Sequence, residues 1–108
     1  MDQGTVEKLK EQVEQTAEQE EIHIQQVLLF GSRARNDFNE DSDADLIIIS
    51  EDFQNVNWFS RPKDFYLDWD YEKLPRPEIL CYTPQEFQER KQKTGDIAKT
   101  AAEQGVEI

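Results

Sequence analysis

Two carboxylates, Asp43 and Asp45 in "NEDSDADLIIIS", head an apolar run. On an extended strand, residues i and i+2 point to the same face, so the pair projects together with Cα atoms roughly 6.6 Å apart. Bare carboxylates this close repel one another and tend to hold a proton. A hard divalent cation relieves that conflict, and an all-oxygen donor set favours Mg2+ or Mn2+ over zinc. An earlier apolar run, "VLLF", ends in Gly31-Ser32, followed by Arg33 and Arg35. Glycine lets the main chain approach a ligand closely. Amides that open the following turn can face a phosphate. Ser32 adds a hydroxyl, and Arg33 or Arg35 adds positive charge. The combination describes a phosphate cradle beside a metal clasp, which is what metal-assisted phosphoryl or nucleotidyl transfer requires. Each piece is common by itself: "DWD" at 68–70 is a second Asp-x-Asp in the same acidic chain.

The surrounding elements must bring these two halves together. Val6, Leu9, Val13 and Ala17 recur at helical spacing, predicting a helix over about 5–20 with Thr5 as its cap. Val27 to Phe30 reads as a short buried strand, "SRARND" as a turn or two of helix with Ser32 at its N-cap, and "FNEDS" as a loop. Ala44 to Ile49 is apolar on both faces and therefore a central strand. The connection between these strands is short for a parallel crossover, so they are expected to be antiparallel neighbours, with Gly31-Ser32 beside Asp43 and Asp45. Residues 51–77 hold seven aromatics and three prolines and predict a mostly irregular segment with one helix. Core packing and an exposed partner surface are both open readings for those aromatics. "EILCYT" is a third strand. "PQEFQERKQKTG" is a helix with Thr83, Pro84 and Glu86 as a capping box, and Asp96 to Gln104 is another, stopped by Gly105. The pattern is that of a single α/β (α+β) domain with a three- or four-stranded sheet.

A chain of 108 residues can build one core, and no second substrate-binding domain is expected. Twelve basic against twenty-four acidic residues give a net charge of -12, which disfavours nucleic acid. That charge fits either simple solubility or a basic protein partner. Cys81 stands alone in an apolar run, so it cannot form an internal disulfide and is expected to be a small core residue in a reducing compartment. No run approaches a membrane span, and the N-terminus is neither a signal nor a transit peptide, so the expected location is cytoplasmic. His23, the sole histidine, lies before the first strand, away from the motif, and is expected to have a structural or surface role.

The strand-GSRAR-loop-SDADL-strand order resembles the minimal nucleotidyltransferase (MNT) family of the DNA polymerase beta superfamily. The resemblance rests on Gly31, Ser32, Arg33, Ala34, Arg35, Ser42, Asp43, Asp45 and Leu46, and extends to "EILCYTPQEFQERK" and "EQGVEI". It covers residues 22–108 as a catalytic core within a domain of 1–108, and implies a small mixed sheet flanked by helices. It further implies that Gly31 and Ser32, with Arg33 and Arg35, bind the triphosphate of ATP, and that Asp43 and Asp45 hold Mg2+. Glu78 would be the third carboxylate where the family commonly has aspartate; Asp68 and Asp70 are reserves. Asn36 stands where a glycine is common, and asparagine tolerates left-handed backbone angles. The resemblance also implies a partner, usually a helical HEPN protein and often an RNase toxin, for which such a protein serves as antitoxin by transferring AMP from ATP to a tyrosine. The expected function is therefore Mg2+-dependent adenylylation of a HEPN partner. The alternatives are a catalytically weak antitoxin that neutralises by complex formation, and a small-molecule nucleotidyltransferase of the antibiotic-modifying type.

Overall fold

The apolar runs become strands of one sheet in the computed structural model, which describes residues 3–35 and 42–108. The elements are α1 (Gln3–Gln19), β1 (Gln26–Phe30), α2 (Ser32–Arg35), β2 (Ala44–Ile49), α3 (Lys63–Asp68), β3 (Pro77–Tyr82), α4 (Pro84–Arg90), α5 (Ile97–Gln104) and β4 (Val106–Glu107). Single 3-10 turns at Glu51–Phe53 and Trp58–Ser60 lie between β2 and α3. The sheet order is β3-β2-β1-β4. β1 is antiparallel to β2 and to β4, while β2 and β3 are parallel, so the sheet is mixed and the fold α+β. Asn36 and most of the expected "FNEDS" loop lie outside the described residues.

β2 is central, as its unbroken apolar run requires, and its two faces serve two cores. Ala44, Leu46 and Ile48 pack with Leu9 and Val13 of α1, Phe53 and Phe65. Leu28, Ile47 and Ile49 pack with Tyr82, with Phe87 of α4, and with Ala98 and Ala101 of α5. Asp45 belongs by alternation to the second face, ahead of Ile47. Cys81 is buried in the first core, and burial pushes its thiol up to about 12, which keeps it an inert thiol.

Boundaries moved in small ways. α1 begins two residues before Thr5, which sits in its first turn rather than capping it. Ser32 opens α2 instead of preceding it. Shifts of one or two residues are usual at helix ends, where few intrahelical bonds fix the boundary. Asp96 caps α5, accepting from the Ala98 amide at 2.9 Å, so that helix starts one residue later. The capping box is present: Thr83 Oγ1 accepts from the Glu86 amide at 3.2 Å, and a Glu86 oxygen accepts from the Thr83 amide at 2.8 Å. The two-residue β4 is too short for a sequence pattern to reveal. In the 51–77 segment the side chains divide between core and surface. Phe53, Phe65 and Trp69 are buried, whereas Phe59, Leu67 and Tyr71 are 86%, 73% and 55% exposed. Among the described residues no helix is long and apolar enough to cross a membrane.

Candidate active site

The antiparallel pairing of β1 with β2 sets Phe30 opposite Asp45, so the chain turns at Gly31 directly beside that carboxylate. Gly31 has φ +76°, a left-handed conformation, and a Cβ there would collide with Asp45 Oδ2. Both features favour glycine at the turn. Ser32, half-buried, follows at the start of α2. Ala44 is extended and points into the first core, so its neighbours Asp43 and Asp45 flank it on the other side. Both are half-buried. The parallel register pairs Asp45 with Glu78, and aligned residues of parallel strands share a face. Glu78 is exposed at the start of β3.

Arg33 occupies an unexpected place. It is only 5% exposed, and its Nε and Nη2 donate to the Ser42 carbonyl at 2.9 and 2.8 Å. The guanidinium fork therefore fixes the chain one residue before Asp43, which makes it a brace for that carboxylate. Arg35 ends α2, and its side chain lies outside the described residues. The reserve acids are committed elsewhere. Asp68 accepts from the Thr16 hydroxyl at 2.5 Å and ties α3 to α1. Asp70 accepts from the Glu72 and Lys73 amides, both at 3.2 Å, and closes a turn. His23 is exposed, and its amide donates to Asp52 at 2.7 Å, at the end of the β1–β2 pair opposite Asp45.

A cavity of about 360 Å3 opens beside Asp45 and Glu78, walled by Phe30, Tyr66, Leu80 and Ile97. Larger hollows of about 560 and 500 Å3, over the α1 side and near α4, contain none of the motif carboxylates. The smaller cavity is the relevant one because it is where the acidic side chains stand. Its volume is that of a modest ligand pocket.

The sequence matches the profile of the nucleotidyltransferase domain over residues 6–106. The chain belongs to the nucleotidyltransferase domain family. Its fold is also similar to that of a protein from Sulfolobus solfataricus, provisionally described as a nucleotidyltransferase, whose crystal structure aligns with a TM-score of 0.61 and 24% identity, covering 79% of this chain and 72% of that one. No curated protein matches it.

Nucleotidyltransferases of this family generally act on nucleoside triphosphates with Mg2+. Among the described residues no three acidic, histidine or cysteine side chains form a ready-made cage for an ion. Mg2+ does not need one: it is commonly held by one or two carboxylates, with substrate phosphates and water completing six oxygens. Asp43 and Asp45 are the pair that would hold it. The space that a Cβ would need at Gly31 is taken by the Asp45 carboxylate, so glycine lets the turn lie directly against that side chain. The donor set and the space fit this nucleotidyltransferase's expected group. Tyr66, Phe30, Leu80 and Ile97 were not foreseen as site residues. Phe30 adjoins the motif and Leu80 shares the alternation of Glu78, but no local signal marks Tyr66 or Ile97, which reach the cavity through tertiary packing.

Proposed function

We propose that this nucleotidyltransferase moves AMP from ATP to a hydroxyl, a tyrosine side chain, on a helical HEPN partner, and thereby acts as its antitoxin. The observation that carries the reading is the Asp45 carboxylate set against Gly31 on one side and in register with Glu78 on the other, over an open cavity. When bound, Mg2+ would neutralise the phosphate charge that builds up during transfer. Gly31 and Ser32 hold the triphosphate against β2, and Asp43 and Asp45 orient it. The acceptor hydroxyl enters from the cavity side and loses its proton towards the carboxylates that line it, Asp45 and Glu78. Its oxygen forms a bond to the α-phosphorus in line with the breaking bond to the β-phosphate bridge, and pyrophosphate leaves. The site is partly open, so the partner itself completes the wall that excludes water.

The test incubates the chain with Mg2+, ATP and the helical product of the neighbouring gene, followed by peptide mass spectrometry. An AMP adduct on a partner tyrosine is the expected result. A stable complex without any adduct would contradict transfer and favour a second reading, neutralisation by binding alone. The exposed Phe59, Leu67 and Tyr71 are the observation behind that second reading.

A further inference from the structure

β3 is an edge strand, and Glu78 is its second residue. In a parallel ladder the main-chain groups of alternate residues face the neighbouring strand and the outside. Ala44 N–H donates to the Arg76 carbonyl at 2.8 Å and Ser50 N–H to the Tyr82 carbonyl at 3.0 Å. Residues 76, 78, 80 and 82 therefore face β2, and Pro77, Ile79 and Cys81 face outward. Pro77 has no N–H to leave unpaired, which suits the first position of an edge strand. The outward Ile79 N–H donates to the Tyr66 hydroxyl at 2.8 Å, and the outward Cys81 carbonyl accepts from Arg61 Nη1 at 3.2 Å. Side chains thus take the place of a missing strand.

Tyr66 is held in turn. Its amide donates to the Pro62 carbonyl at 3.1 Å, and its own carbonyl accepts from the Tyr71 hydroxyl at 2.8 Å. Tyr66 is also among the residues that line the cavity beside Asp45 and Glu78. Glu78 has more side-chain freedom than an aspartate and sits exposed at the strand start, so it needs support that an aspartate deeper in a sheet would not. We propose that Tyr66 is a positioning residue of the transfer site: its hydroxyl fixes the β3 edge at Ile79 on the border of the cavity, so that the adjacent Glu78 is kept in place beside Asp45. The inference rests on the reading of Glu78 as the third carboxylate. Groups that orient an active-site side chain in this way commonly matter roughly ten- to hundredfold in activity.

The decisive variant is Tyr66→Phe, which keeps the ring and removes the hydroxyl. It is measured for AMP transfer to the partner alone and combined with Glu78→Gln. Tyr66→Phe is expected to lower kcat roughly ten- to hundredfold with KM for ATP unchanged, and to add no further loss in the Glu78→Gln background. Losses that multiply in the double variant, or a Tyr66→Phe protein as active as the wild type, would overturn the inference while leaving the role of Glu78 standing. Wild-type activity in Glu78→Gln would instead overturn the reading of Glu78, and the inference with it. A second measurement needs no partner: NMR couplings report the Glu78 χ1 distribution in wild type and Tyr66→Phe. A skewed distribution that averages in the variant is expected; identical distributions would overturn the inference even if the variant were less active.

Discussion

Gly31 answers two demands at the residue scale, a left-handed φ of +76° and room for the Asp45 carboxylate. Gly31→Ala meets both obstacles. Backbone strain of this kind is worth about 1–3 kcal/mol, which a denaturant titration should register as a lowered midpoint. The displaced Asp45 should lower AMP transfer by roughly a hundredfold, the scale of an ångström-sized misplacement at a reacting centre. A variant with wild-type stability and transfer would show that the turn tolerates a side chain and that Gly31 does not shape the site. Arg33 illustrates a different economy. Its fork on the Ser42 carbonyl braces the main chain beside Asp43.

Arg61 does comparable work at the scale of elements. Its buried guanidinium donates to the Val56 carbonyl at 3.1 Å, to the Cys81 carbonyl at 3.2 Å and to both Glu86 oxygens at 2.6 and 3.2 Å, and it stacks 5.6 Å from the Trp58 ring. It ties the irregular 51–62 stretch to β3 and α4. Arg61→Ala should cost about 3 kcal/mol, the lower end of the range for breaking a buried pair, because Glu86 keeps contact with water. Chemical denaturation measures that loss, and a change within experimental error would show that the stretch is held by its aromatics alone. The hydrogen bond from Arg61 holds the Glu86 carboxyl below its ordinary 4.5. A group whose folded pKa is depressed stabilises the fold fully above its unfolded value and loses that contribution as pH falls through the folded one. Stability should therefore fall below about pH 4.5, and Glu86→Gln should flatten this part of the acid limb. An unchanged acid limb in Glu86→Gln would contradict the linkage.

The same elements show what a sequence reader can and cannot recover. β2, the antiparallel turn at Gly31 and the Thr83 capping box were legible because each is written in neighbouring residues: an apolar run, a short connection, a spacing of three. Glu78 was legible only as the first polar residue of a strand; its partner, Asp45, depends on a parallel register that no local pattern specifies. Tyr66 was not legible at all. It lies in an aromatic-rich stretch whose single short helix is aimed by contacts with α1 and β3, and Arg33 likewise turns inward for a carbonyl nine residues away.

At the scale of the whole molecule, a net charge of -12 coexists with exposed Phe59, Leu67 and Tyr71. An acidic surface carrying solvent-facing aromatics suits a basic partner with apolar anchors. Phe59→Ser should leave stability within about 0.5 kcal/mol of wild type, as for an exposed side chain, yet weaken the complex with the helical partner. A titration calorimeter reads both affinity and its fall with salt. Undiminished affinity would place the interface elsewhere.

The most direct measurement uses ATP labelled at the α-phosphate, Mg2+ and the partner protein, with wild type run beside Asp43→Asn and Asp45→Asn. Label on the partner with wild type alone is the predicted result, and it would assign the chemistry to the two carboxylates at the head of β2. Transfer that survives in both variants would contradict the central claim, because the site at Gly31 would then not be where the reaction occurs.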